Sequence, residues 1–280
     1  MKKSLAGAPF NFTVHAVRCG AECGIISGIG KDELGQAVLE KTAEYNINNN
    51  FLQLKESHPT GMTLITFTNG EPQYDLKSNT AYDNIEYSEN LQRKIDSFGA
   101  DCFYFGTVGQ RNAVSRETLK NILKNSSFHN VFCDINLRDG NYTKETVGFS
   151  LKNCNILKIN RQEIEEIFKM GFVKYSGDIK DFGIEVTEKF PNIKLVIITL
   201  DRDGAYVYDK EKNENLTVSA KDVEVKSPTA AWDSFCAGFI TDYLKGNSLK
   251  KAINKATEIA SYVLQFTEAI PKEKREIYDL

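Results

Sequence analysis

Three histidines, no Cys-x-x-Cys pair and no excess of positive charge characterise this 280-residue sequence, and each scarcity narrows the chemistry open to it. Lys+Arg 35 against Asp+Glu 38 gives a formal net charge of -3, so neither nucleic acid nor an anionic membrane surface is an expected partner. His15, His58 and His129 have no mutual spacing that suggests a metal, and each reads as structural or exposed. Cys19, Cys23, Cys102, Cys133, Cys154 and Cys236 are spread along the chain, mostly inside apolar runs, which predicts reduced thiols, a cytoplasmic location and no structural metal. No apolar run is long enough to span a membrane. The basic opening Met1-Lys2-Lys3 meets Asn11, Thr13, His15 and Arg18 before any signal-peptide core could form. Asn-x-Ser/Thr triplets at Asn11, Asn125, Asn141 and Asn215 read as chance occurrences.

Several nucleotide and hydrolase signatures are missing too. Gly28-Ile29-Gly30 is followed by Gly35 rather than by a glycine three positions on, so the dinucleotide fingerprint fails. Neither a Walker-type Gly-Lys-Ser/Thr nor a Gly-x-Ser-x-Gly elbow occurs.

What is present is 41% hydrophobic and 26% charged residues, the composition of a globular protein built as one large domain over 1–280. Phe10 to Val17 is a short helical candidate, Cys23 to Ile29 a strand, and Glu33 to Tyr45 a helix capped by Asp32. Phe51 to Leu76 changes to a period of two around Asn69-Gly70, which predicts a β excursion with a hairpin. From residue 88 helices and strands alternate: helices over Ser88–Phe98, Ser115–Lys124, Lys144–Leu151, Arg161–Met170 and Ile179–Phe190, and strands over Cys102–Phe105, Val131–Ile135, Ile156–Ile159 and Leu195–Ile198. A second hairpin around Gly204 to Val218 precedes helices Asp233–Leu244 and Leu249–Phe266. The pattern predicts an α/β fold, doubly wound around a mainly parallel sheet.

Ligands in such sheets sit beyond the carboxyl ends of the strands, so polar residues there are the candidates. Five segments qualify: Gly7-Ala8-Pro9-Phe10-Asn11, Asp134-Ile135-Asn136-Leu137-Arg138, Asn160-Arg161-Gln162-Glu163, Thr199 to Gly204, and Thr229 to Asp233. A helix starting at Asp233 would set a carboxylate beside an anion-attracting helix end, the arrangement of a phosphoryl-transfer site, or would use Asp233 simply as its cap. Asn160 and Glu163 are spaced to reach one point where metal-bound water and phosphate would lie, or to form a capping box. Arg138 is placed to clamp a phosphate or sugar hydroxyl, or to form a surface ion pair.

Taken in order and at these separations, the five segments, with Asp233-Ser234-Phe235-x-Ala237-Gly238-Phe239 closing the set, resemble the ribokinase-like (PfkB) sugar kinases over nearly the whole chain. His58-Pro59-Thr60-Gly61, Gly70-Glu71-Pro72-x-Tyr74-Asp75, Ala81-Tyr82-Asp83-Asn84-Ile85 and Phe105-Gly106-Thr107-x-x-Gln110-Arg111 are most similar to bacterial fructokinases. The resemblance implies ATP-dependent phosphorylation of a sugar hydroxyl, with Asp233 as the base and Ala230, Ala231 and Trp232 as the anion hole. It implies that Asn160 and Glu163 organise Mg2+, water and phosphate without a direct protein ligand to the metal. Thr199 and Gly204 would line the nucleotide, and Gly7, Asn11 and Arg138 would touch the sugar or the transferred phosphate. The excursion at 51–76 would serve a lid or a homodimer surface.

The chain also departs from the family pattern. Family members carry, ahead of the glycine segment, a first strand with a substrate-binding aspartate; the sequence begins at Met1 just before that segment, which implies either a lost strand or a truncated start, and Ala6 and Glu268 replace glycines. The family's Asp-Thr-x-Gly-Ala-Gly-Asp is here Ser227-Pro228-Thr229-Ala230-Ala231-Trp232-Asp233. Both of its glycines are lost, and Ser227 removes an aspartate that serves a monovalent cation in relatives. If positions 230 and 232 require φ above zero, each Cβ costs roughly 1 to 2 kcal/mol. The family's Thr-x-Gly-x-x-Gly is here Thr199-Leu200-Asp201-Arg202-Asp203-Gly204, which puts a carboxylate where the resemblance implies close backbone approach to phosphate. These departures predict a weakened kinase, or alternatively a catalytically inactive kinase-fold protein that binds sugar, nucleotide or a protein partner.

Overall fold

The computed structural model describes residues 5–68, 71–227, 230–272 and 276–279, with side chains at 65–68 and 71–74 left aside. The Asn69-Gly70 turn and the Pro228-Thr229 part of the anion loop lie outside the described residues. In chain order the helices are α1 (Ala8–Arg18), α2 (Glu33–Glu44), α3 (Glu89–Phe98), α4 (Ala113–Asn125), α5 (Lys144–Asn153), α6 (Arg161–Lys169), α7 (Ile179–Lys189), α8 (Ala231–Leu244) and α9 (Leu249–Val263). The strands are β1 (Ser27–Gly30), β2 (Leu52–Lys55), β3 (Thr63–Thr68), β4 (Glu71–Leu76), β5 (Cys102–Gly106), β6 (Asn130–Asp134), β7 (Ile156–Asn160), β8 (Leu195–Thr199), β9 (Ala205–Asp209) and β10 (Glu214–Val218). They pack as two compact units.

The first unit comprises Gly24–Ala100 and Gly109–Ser127. Its β1 and β2 pair in parallel, while β3 and β4 form the expected antiparallel hairpin. The excursion at 51–76 is therefore divided: its first strand completes a β-α-β unit through α2, and only its second half is a hairpin. Asp32 caps α2 by accepting from Gly35 N at 2.8 Å, and it also accepts from Thr60 N and Thr60 Oγ1 at 2.8 and 2.6 Å, tying the helix start to the segment before β3.

The second unit comprises Ala6–Cys23, Asp101–Val108 and Phe128–Leu280 and holds a six-stranded sheet in the order β10-β9-β8-β7-β6-β5. Strands β5 to β8 are parallel, and β9 and β10 are antiparallel additions at one edge. Consecutive parallel strands advance in one direction, so right-handed crossovers place α5, α6 and α7 on one face. Gly183 of α7 is tight enough on that face for an added Cβ to lie 3.3 Å from the Tyr208 Cβ. The opposite face carries Phe132, Ile156, Leu195, Ile197, Ala205 and Val207, buried against Phe12 and Ala16 of α1 and against α8 and α9. α8 is apolar nearly all round, as burial in a central layer requires, and its residues Ser234 to Asp242 are all buried.

α1 also anchors the chain's far end. His15, fully buried, contacts the Tyr278 hydroxyl at 2.9 Å through Nδ1 and the Ala269 carbonyl at 3.1 Å through Nε2. The carbonyl can only accept, so Nε2 carries the proton and Nδ1 accepts from Tyr278. Arg18 adds a 2.6 Å bond to Pro271 O and lies over the Tyr278 ring. The structural reading of His15 holds. Among the described residues no helix is long and apolar enough to cross a membrane.

Candidate active site

Parallel strands deliver their carboxyl ends to one edge of the sheet. Asp134, Asn160 and Thr199 are the last residues of β6, β7 and β8, and Asn160 and Thr199 are register partners. The side of the sheet that α8 covers receives every second residue, so Tyr104, Asp134 and Lys158 share it with Phe132 and Ile156. α8 brings Asp233 to this group.

The helix does not begin at Asp233. Ala230 is its N-cap at φ 63 and ψ 4, and α8 starts at Ala231, with Ser234 N donating to Ala230 O at 2.9 Å. Asp233 is thus the third helical residue, and its carboxylate is not a cap: Oδ2 accepts from Asn11 Nδ2 of α1 at 2.9 Å. Asp is a favoured cap, which made the later start plausible from sequence, but the left-handed Ala230 turns the chain into the helix early. Position 230 does need a positive φ, so its lost glycine carries a backbone cost. Position 232 is helical, so its lost glycine carries none, and the Trp232 indole packs edge-on against Phe235 at 5.9 Å.

Asp233 is half-buried. Burial pushes its carboxyl up to about 7, with the Asn11 hydrogen bond opposing, Asp134 adding to the rise, and Lys158 and Arg138 opposing it. Across β7 and β6, Lys158 Nζ pairs with Asp134 Oδ1 at 3.0 Å, both side chains almost wholly buried. Tyr104 OH donates to Asp134 Oδ2 at 3.1 Å, and its ring stacks on Phe12 with centroids 3.8 Å apart. Burial works against the Lys158 charge, yet attraction to Asp134 and Glu163 outweighs it and holds the ammonium protonated above the ordinary lysine range.

Glu163, also buried, accepts from Leu137 N through Oε1 and from Asn160 N through Oε2, each at 2.9 Å, while Asn160 Oδ1 accepts from Glu163 N at 2.9 Å. The capping box is formed, and it fastens the start of α6 to the loop after β6. Thr199 is buried and its Oγ1 has no hydrogen-bond partner among the described residues. Gly204 closes the turn after Asp201–Asp203 at φ 101, and a Cβ there would lie 1.9 Å from Val218 O, so glycine is required by the hairpin itself. Gly7 caps α1 at φ 129 and accepts from Asn11 N at 2.8 Å. Arg138 is exposed, with its charge felt at Asp233.

Asn11, Arg138 and Asp233 are therefore brought together, and Asn160 and Thr199 adjoin along the sheet edge. Lys158 and Tyr104 were not singled out by sequence reasoning. Lys158 left a signal all the same, a lysine in the middle of the apolar run Ile156-Leu157-Lys158-Ile159.

The edge leaves polar groups open at two points. The helical N–H groups of Ala231, Trp232 and Asp233 have no intrahelical acceptor, as at any helix start. Thr199 Oγ1 and Asn11 Oδ1 are buried and unpaired among the described residues, poised for a polar ligand. Asp201 and Asp203 are exposed in the turn after β8, and Asp203 pairs with Arg161 Nη2 at 2.6 Å. Among the described residues no three His, Cys, Asp or Glu side chains have metal-binding geometry.

Comparison with known proteins identifies the family. The sequence model for "pfkB family carbohydrate kinase" matches residues 1–275. An ATP-dependent 6-phosphofructokinase of Thermoanaerobacterium thermosaccharolyticum is 27% identical over 278 residues, covering 96% of this chain and 81% of its own. A fructokinase of Rhizobium leguminosarum bv. trifolii is 25% identical over 256 residues, 88% of this chain and 73% of its own. The crystal structure of fructokinase with bound ATP from Xylella fastidiosa superposes with a TM-score of 0.79 at 15% identity, over 94% of this chain and 85% of that one. With a family match running from the first residue almost to the last, over a mainly parallel sheet of that fold, the chain belongs to the pfkB family of carbohydrate kinases.

Proposed function

We propose that the protein transfers the γ-phosphoryl group of ATP to a hydroxyl of a small sugar, with Asp233 as the general base. The observation that carries this is the state of Asp233: half-buried at a helix start, pinned at one oxygen by Asn11, and shifted by burial to about 7. A base is most effective when its pKa lies near the working pH. Oδ2 is committed to Asn11, so Oδ1 takes the proton of the attacking hydroxyl while that oxygen bonds to phosphorus and ADP departs. The N–H groups of Ala231 and Trp232, at the positive end of α8, stabilise the charge on the transferred group. Asn11, Gly7 and Arg138 hold the sugar or the phosphate. ATP, with Mg2+ to neutralise its phosphates, would be held by Thr199, Gly204 and the Asn160–Glu163 pair, and supplies the phosphoryl group.

Fructose is the sugar we favour, on the segments that resemble fructokinases and the fructokinase relative. Left-handed Ala230 supports a rate below that of a glycine-bearing loop. The β3–β4 hairpin would act as a lid or homodimer surface, in a cytoplasmic enzyme without a monovalent-cation requirement. The test is calorimetric titration with Mg-ATP and with fructose, followed by a coupled ADP-release assay. Sugar-dependent ADP release that disappears in Asp233→Ala supports the reading. Binding without release at any pH between 6 and 9 would instead support the inactive alternative.

A further inference from the structure

At the strand ends near Asp233 lies an ion pair, Lys158 with Asp134, that the proposed reaction does not itself use. Three carboxylates, Asp134, Glu163 and Asp233, converge on this edge, and among the described residues only Lys158 offers them a buried positive charge. Lys158 is a costly residue in the middle of a strand packed on both faces, since an unpaired ammonium there would be strongly destabilising and an apolar residue would pack as well. Its Nζ reaches Asp134 Oδ1 at 3.0 Å, and Tyr104 OH holds the other Asp134 oxygen at 3.1 Å, so the pair is fixed from two strands. The ammonium is held beside Asp134, and its field reaches both Glu163 and Asp233.

We propose that Lys158 is a positioning residue of the phosphoryl-transfer site: held by Asp134, which Tyr104 holds in turn, its ammonium is the shared counter-charge that keeps Asp233 available as an anion beside two buried carboxylates. The proposal deepens the kinase reading and rests on Asp233 being the base. The charged and titratable groups acting on Asp233 are Tyr104 of β5, Asp134 of β6, Arg138 of the following loop, Lys158 of β7 and Cys236 of α8. Of these, Lys158 and Arg138 favour the anion, and Arg138 is exposed and screened by solvent. The buried cation consequently has the stronger hold.

Opposite-sign variants test this. Lys158→Met keeps the length and removes the charge; Asp134→Asn keeps the shape and removes a competing anion. The ionisation of Asp233 is followed in the ligand-free protein by carboxyl 13C NMR, with the resonance assigned by its loss in Asp233→Asn, and the pH profile of kcat/KM is measured alongside. We expect the midpoint to rise by about one pH unit or more in Lys158→Met and to fall by about half a unit or more in Asp134→Asn. Activity lost by Lys158→Met near neutrality should return roughly tenfold by pH 9, with KM for ATP unchanged, a recovery that a packing defect would not give. Midpoints unchanged in both folded variants, or shifted in the same direction, overturn the proposal. So does failure of both to fold, which would make the pair a requirement of the core. If one variant folds, its midpoint alone decides. Shifted midpoints in a protein that phosphorylates no sugar would leave the charge assignment standing and remove the kinase reading instead.

Discussion

At the scale of single residues, the proposed base Asp233 would tie activity and stability to pH with opposite signs. Its carboxyl is raised from 3.8 to about 7 by burial, so the folded state prefers the protonated acid. The stability this supplies is complete below pH 3.8 and is lost as pH rises through 7. Asp233→Asn removes that penalty. It should leave stability near pH 4 almost unchanged, stabilise the protein at pH 8 by on the order of a few kcal/mol, and reduce turnover at least a hundredfold. Urea unfolding at the two pH values checks the first half, and equal stabilisation at both would contradict it. The neighbouring Ala230 makes a second case. Its left-handed backbone predicts that Ala230→Gly gains about 1 kcal/mol, whereas Trp232→Gly loses stability, because position 232 is helical and the indole contact with Phe235 goes with it. The sequence alone marked both glycines as missing without telling them apart. Which position needs a positive φ depends on where the helix starts, and that is decided by the path of the chain into α8 rather than by capping preference.

Among elements, legibility followed locality. α2, α3, α5 and α6 announce themselves through caps and periodicity within one window, and Asp32, Ser88, Thr143 and Asn160 cap them in the structure. Pairings between distant segments do not announce themselves. The strand expected over Cys23 to Ile29 contracts to β1, Ser27–Gly30, whose partner β2 belongs to a stretch that reads locally as hairpin. Lys158 eluded the reading for the same reason, because its partner Asp134 lies on another strand. The capping box at α6 has consequences beyond its own helix: Glu163 satisfies Asn160 N and Leu137 N together. Glu163→Ala should therefore destabilise by about 2 kcal/mol, as two backbone donors lose a buried acceptor, and Glu163→Gln, which keeps one acceptor, by less. Denaturant midpoints order the two, and equal losses would mean that only one of the bonds matters.

For the molecule as a whole, the second unit is closed by a contact between the chain's beginning and its end. His15 of α1 accepts from Tyr278 and donates to Ala269, and Arg18 reaches Pro271. A second proton on the imidazole would put a charge in a buried site beside Arg18. Burial, partly opposed by the Ala269 bond and reinforced by Arg18, accordingly lowers the pKa from 6.5 to about 4. The native state then binds fewer protons than the unfolded chain between these values. The resulting stability is fully present above pH 6.5 and is lost as pH falls through 4, a change on the order of 3 kcal/mol. Acid should loosen the terminal segment from α1, because the imidazolium that forms is a buried charge repelled by Arg18. Asp233 titrates with the opposite sign over pH 3.8 to 7, so the total pH dependence will look shallower than either group alone. The difference between wild type and His15→Gln isolates the histidine. Glutamine offers one donor and one acceptor at similar reach and has no proton to gain, so the variant should lie below wild type at pH 7.5 and lose less stability between pH 6.5 and 4. Hydrogen exchange at 276–279 should accelerate over the same interval in wild type only. A wild-type acid loss matched step for step by His15→Gln would place the sensitivity elsewhere in the unit.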